Sequence, residues 1–192
     1  ISIDVIDNGI GFTDENKDSF DTYRSGFKMS KGGKGFGRFM YLKYFRHVSI
    51  ESIFYEEGKY KQRRFTFGHA DEIIENEQIV DIEPNSDLHT GTVLHLSSIK
   101  SFDLDKGLEV IARKLVERLL VFFVTGGEYT PKITIKEENG SNSIVLNDYI
   151  GDNSDIQQIG KEEEFTIKGR ENEWNFTVKI YKIYYSAITN KI

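Results

Sequence analysis

The sequence predicts an α/β fold followed by a β-rich C-terminal segment, and three observations carry that reading. Alternating apolar runs at residues 48–55 and 60–67, joined by Glu-Glu-Gly-Lys at 56–59, have the period of half-buried strands around a hairpin. Residues 103–124 place Leu104, Leu108, Ile111, Leu115, Leu119 and Phe122 at steps of three and four, an apolar stripe on one helix. Beyond Gly127, short alternating runs are separated by turn signals such as Asn139-Gly140.

Taken in order, residues 2–6 read as a short buried strand that enters Asp7-Asn8-Gly9-Ile10-Gly11-Phe12. Asn-Gly between apolar segments is a hairpin signal, so a plain turn is the simplest account of that hexapeptide. Residues 13–34 are polar and aperiodic and read as a long loop, a kind usually functional or disordered in compact domains. Residues 36–45 have the aromatic and aliphatic density of a packed helix, with glycines only at its start. After the 48–67 hairpin come strands at 78–82 and 92–96, then the long helix, with Asp103 as its N-cap and Gly126-Gly127 as its stop. Residues 132–136 with 143–146, and 164–168 with 174–185, read as two hairpins; Trp174, Phe176, Val178, Ile180 and Tyr184 share one face of the last strand. The boundary falls at 126–131, giving domains 1–127 and 128–192.

With 25 basic and 31 acidic side chains the net charge is −6, so no global field draws the chain to nucleic acid or anionic lipid, and a phosphate site has to be local. There is no cysteine, which excludes disulfides and thiolate metal sites. Nothing resembles a signal peptide, and the strongest apolar run, residues 119–124, is too short to cross a bilayer. A cytoplasmic protein without a membrane partner is the expectation. The chain begins at Ile1, inside a strand-like run, and reads as a piece whose N-terminal part is not included.

A second glycine cluster, Gly32-Gly33-Lys34-Gly35-Phe36-Gly37-Arg38, sits where the polar loop meets the helix. Glycines let backbone amides approach an anion, and a helix N-terminus attracts phosphate; Lys34 and Arg38 add positive charge. The lysine is followed by glycine, so the Walker A pattern fails, and Gly9-Ile10-Gly11 does not continue as a dinucleotide fingerprint. A flexible loop with incidental glycines is the plain alternative.

The two clusters in order resemble the GHKL ATPases, the superfamily of gyrase, the heat-shock chaperone ATPase, histidine kinases and MutL. Asp7-Asn8-Gly9-Ile10-Gly11 is similar to the family's D-x-G-x-G box, and Gly32 to Gly37 to its G-x-x-G-x-G box at the end of the ATP lid, here residues 12–34. Gly91-Thr92 resembles the glycine-threonine pair that enters a sheet strand. The resemblance, over residues 1–124, implies a Bergerat ATP-binding fold: a two-layer α/β sandwich with a mixed sheet and helices on one face, followed by a partial second domain.

It also implies roles. Asp7 would accept a hydrogen bond from the exocyclic amine of adenine, which guanine cannot offer, and Gly9 and Gly11 would leave room for the base. Thr92 would support Asp7. Gly33, Gly35 and Gly37 would lend amides to the phosphates, with Phe36 beside them and Lys34 as a charge partner. The cofactors implied are ATP and Mg2+. The family's magnesium-holding asparagine and water-activating glutamate stand on a helix that would precede residue 1, so hydrolysis is not expected of this chain.

The expected function is an ATP-binding module whose lid closure drives conformational change, with a protein client and a homodimer through the second domain or upstream regions as the implied partners. Two other readings stand beside it. One is histidine kinase-like phosphotransfer, although His47, His69, His89 and His95 lack the context of a phospho-acceptor. The other is a nucleotide-independent interaction module, in which Lys59, Lys61, Arg63 and Arg64 on one hairpin touch nucleic acid; a solvated face explains that cluster equally well.

Overall fold

The computed structural model describes residues 2–21, 37–68, 74–100, 107–125, 130–152, 154–170 and 172–184, with 37–39 described by backbone alone. The chain divides into two compact units, Ile1–Asp103 and Leu104–Ile192.

The first unit is built on five strands: β1 (Ser2–Asp7), β2 (Phe45–Glu56), β3 (Lys59–Phe67), β4 (Ile74–Ile82) and β5 (Gly91–Ile99). They lie in the order β1-β5-β2-β3-β4, and every neighbouring pair is antiparallel. The 48–67 hairpin forms as the sequence predicts. Glu56 pairs with Lys59 across Glu57-Gly58, whose φ angles of 52° and 80° give a two-residue turn with the twist of the flanking strands.

Alternation places Val48, Ile50 and Phe54 of β2, Phe65 and Phe67 of β3, and Leu94 and Leu96 of β5 on one buried face. Two helices lie against it: α1 (Asp14–Asp21) through Phe20, and α2 (Gly37–Tyr44) through Tyr41, Leu42 and Tyr44. The packing there is aromatic, with Phe12 and Phe20 edge to face at 5.3 Å between ring centroids and Phe20 at 5.5 Å from Phe67. α1 lies inside the stretch read as a loop. It has one apolar residue, so no period announces it; its signals are Thr13, whose Oγ1 accepts the Asn16 amide at 3.3 Å, and Asp14 and Glu15 in the first turn.

Two expectations are corrected. The two-layer α/β sandwich with a mixed sheet does not form: the described residues make nine strands against three α-helices and one 3-10 turn, and the five-stranded sheet is wholly antiparallel. Parallel neighbours need long crossovers, whereas β2, β3 and β4 follow one another as antiparallel neighbours. Among the described residues only two eight-residue helices, each about 12 Å long, lie against this sheet. The strand at 2–6, read as buried, is an exposed edge strand, with Val5 at 51% and Ile6 at 67% exposure. Its ladder partner is β5, so Asp7-Asn8-Gly9-Ile10-Gly11-Phe12 does not close a hairpin.

The second unit holds α3 (Leu108–Thr125), a small hairpin of β6 (Thr134–Lys136) and β7 (Ser143–Val145), a 3-10 turn at Leu146–Tyr149, and a long hairpin of β8 (Ile156–Lys168) and β9 (Glu173–Ile183). Asn139-Gly140 makes the expected turn, with Gly140 at φ 68° donating its amide to Glu137 O. The core is Ala112, Val116, Leu146 and Ile156, joined by Leu115, Leu120 and Phe123. The buried stripe of α3 is therefore rotated from the one read off the sequence, and Phe122 is 60% exposed. With Leu-Leu-Val-Phe-Phe-Val in its last turns, the helix is apolar all round there, and periodicity does not select the face. Asp103 and Gly126-Gly127, the predicted ends of this helix, lie outside the described residues.

Candidate functional site

Strand register builds one polar row across the buried face of the sheet. Asp7 of β1 stands opposite Thr92 of β5, Thr92 opposite Ser52 of β2, and Ser52 opposite Arg63 of β3. The neighbouring row on the same face, Val5, Leu94, Ile50 and Phe65, is apolar throughout. A polar row inside an apolar face is costly unless its atoms are paired. Among the buried atoms of this row only Arg63 Nε lacks a hydrogen bond, and most of the pairing holds the glycine turn.

The turn starts at Asp7, whose Oδ1 accepts the Gly9 amide at 2.8 Å, an Asx turn that fixes the carboxylate at the end of the strand. Gly11 has a φ of 79° and presses against β2: a Cβ there would stand 2.3 Å from Ile53 O and 2.9 Å from Ser52 Oγ. Gly91 is as tight on the other side, since a Cβ would lie 2.4 Å from Asp7 O. Both glycines are thus required by close backbone approach. Asn16 of α1 donates to Gly11 O at 2.8 Å and ties the turn to the helix after it.

Two buried side chains grip the exit of the turn at Phe12. Ser52 Oγ accepts the Phe12 amide at 2.8 Å, contacts Gly91 O at 2.9 Å, and lies 3.1 Å from Thr92 Oγ1. Arg63, only 1% exposed, donates from Nη1 to Phe12 O at 2.7 Å and Thr13 O at 3.0 Å, and from Nη2 to the Asp14 carboxylate. Its guanidinium lies over the Phe54 ring at 4.9 Å. Its Nε stands 3.1 Å from Glu77 Oε1 as an ion pair, out of line for a hydrogen bond.

Of the residues singled out from the sequence, Asp7, Gly9, Gly11 and Thr92 come together at this corner of the sheet. Gly37 is the first residue of α2; Gly33, Lys34, Gly35 and Phe36 lie outside the described residues, as does His69. Ser52 and Arg63 were not singled out as site residues, yet a signal existed. Each is the polar exception in an alternating run, Ser52 between Ile50 and Phe54, and Arg63 before Phe65 and Phe67.

No protein-family model matches the chain, and no curated protein matches its sequence significantly. The site therefore stands on its own geometry. At its rim stands the Asp7 carboxylate, exposed at a strand end, with Thr92 opposite it in the ladder. Among the described residues no group of three or more His, Asp or Glu side chains could hold a metal ion. A cavity of about 590 Å³ lined by His47, Ser49, Thr66, Glu75 and Ser97 lies toward the other end of the sheet and includes none of these site residues.

The basic cluster of the β2–β3 hairpin is neutralised in place. Lys59 meets Asp81 at 2.7 Å, Lys61 meets Glu57 at 2.9 Å, Arg64 meets Glu51 at 3.0 Å, and Arg63 is buried. The Asp81 hydrogen bond raises the Lys59 pKa and lowers that of Asp81. With each of these cations matched to a carboxylate, the hairpin does not present a basic stripe to phosphates.

Proposed function

We propose that the chain is an ATP-binding module, with the first unit holding the adenine at the Asp7 corner. The observation that carries the proposal is the seating of Asp7: an Asx turn holds its carboxylate at the end of an exposed strand, two close-packed glycines fix the backbone around it, and Thr92 is its ladder partner. Asp7 accepts from the exocyclic amine, and Gly9 leaves the approach to the carboxylate open. The order of the two glycine clusters and Gly91-Thr92 supports the same reading. The proposal rests on the site, not on the two-layer sandwich that the antiparallel sheet replaces.

Calorimetric titration with MgATP tests it. The Asp7→Asn variant keeps the size of the side chain and loses the charge, and a charge-assisted hydrogen bond of about 1.5–3 kcal/mol corresponds to a loss of affinity of roughly 10- to 100-fold. Equal affinity in the two proteins sinks the assignment of Asp7.

A further inference from the structure

We infer that Ser52 sets the direction of the Thr92 hydroxyl and so makes Thr92 a hydrogen-bond acceptor toward the ligand, a specificity-determining role that rests on the ATP reading above. A serine hydroxyl carries one hydrogen and two lone pairs. Ser52 Oγ has three neighbours: the Phe12 amide at 2.8 Å, which only donates; Gly91 O at 2.9 Å, which only accepts; and Thr92 Oγ1 at 3.1 Å, which does either.

The single Ser52 hydrogen therefore goes to Gly91 O, and the contact with Thr92 is made by the Thr92 hydrogen pointing inward. This is the one arrangement that satisfies all three contacts. Ser52 is 1% exposed and Thr92 9%, so water does not offer an easy substitute. Thr92 spends its proton on Ser52, and among the described residues no hydrogen bond joins it to the Asp7 carboxylate across the ladder. What its hydroxyl keeps for any other neighbour is lone pairs only.

Asp7 is also an acceptor there, with one oxygen already taken by Gly9. A rim made of two acceptors suits a ligand group that brings two hydrogens, an amine, and repels a carbonyl oxygen at the same point. Ser52 is thus a positioning residue: it never touches the ligand and acts through Thr92. Its removal frees the Thr92 hydroxyl to rotate and donate outward, which removes part of the penalty against a carbonyl.

Inosine triphosphate is the probe, since it carries a carbonyl oxygen where ATP carries the amine. In the full chain, Ser52→Ala is expected to reduce the preference for ATP over inosine triphosphate by about tenfold, the effect of one hydrogen bond changing sign. A merely structural role would weaken both nucleotides alike, and an unchanged ratio overturns the inference while leaving the ATP reading intact. A wild-type chain that binds neither nucleotide overturns both. Should Ser52→Ala fail to fold, the wild type still decides: the Thr92 hydroxyl proton is expected as a slowly exchanging NMR signal with a nuclear Overhauser contact to the Ser52 β-protons. A Thr92 proton in rapid exchange with water overturns it.

Discussion

Arg63→Met is expected to destabilise the first unit by about 3–5 kcal/mol, the usual cost of removing one partner from a buried ionic cluster. Methionine fills much of the same space, so the loss is electrostatic and hydrogen-bonding rather than a cavity. Phe12 O and Thr13 O lose their donor beneath the aromatic cluster of Phe12, Phe20 and Phe65, where each unpaired carbonyl costs about 1–3 kcal/mol. Glu77 is left two-thirds buried without its cation, whereas Asp14, 70% exposed, turns to water at little cost. Arg63→Lys is expected to recover only part of the loss, because an ammonium cannot reproduce the planar fork that reaches two carbonyls and a carboxylate at once. Urea unfolding followed by far-ultraviolet circular dichroism, with hydrogen exchange at amides 12–21, measures both effects. Unchanged protection of the Phe12 to Asp21 amides in Arg63→Met would show that the guanidinium does not hold this segment down.

That arginine also marks where the sequence stopped being legible. Strand positions in the first unit follow from period-two alternation, and β2, β3, β5 and α2 lie where the pattern puts them. Alternation does not report which strands become neighbours, and the register that lines up Asp7, Thr92, Ser52 and Arg63 is a long-range property. Read in its own segment, Arg63 belongs to a run of cations on a turn-linked hairpin; read in register, it is the buried end of a polar row. The same limit explains the layer error. Packed helices were legible at 36–45 and 103–124, but the longer one groups with the second compact unit, and among the described residues only α1 and α2, eight residues each, lie on the sheet. Asp7, Gly9, Gly11 and Thr92 were found because local motif chemistry marks them. Ser52 and Arg63 were missed because their role exists only between strands.

The glycine turn itself offers the sharpest separation of fold from function. Gly11→Ala is expected to cost about 2–4 kcal/mol, from a side chain forced into the left-handed region and from a Cβ driven into the backbone. The φ of 79° accounts for the first part, and Ile53 O at 2.3 Å, a main-chain atom within the β2 ladder, for the second. Neither can relax by rotating a side chain. The exit of the turn must lift off β2, which also breaks the Phe12 amide bond to Ser52. Gly9→Ala meets only Asp7 Oδ1, at 2.8 Å, the end of a side chain that can rotate away. It is expected to lower stability by less than about 1 kcal/mol, as most surface substitutions do, while swinging the carboxylate out of its Asx turn. The two alanines therefore part company: Gly11→Ala lowers both the urea midpoint and MgATP affinity, and Gly9→Ala lowers affinity with the midpoint nearly unmoved. If Gly9→Ala binds MgATP as the wild type does, the fixed orientation of Asp7 is not what recognises the nucleotide.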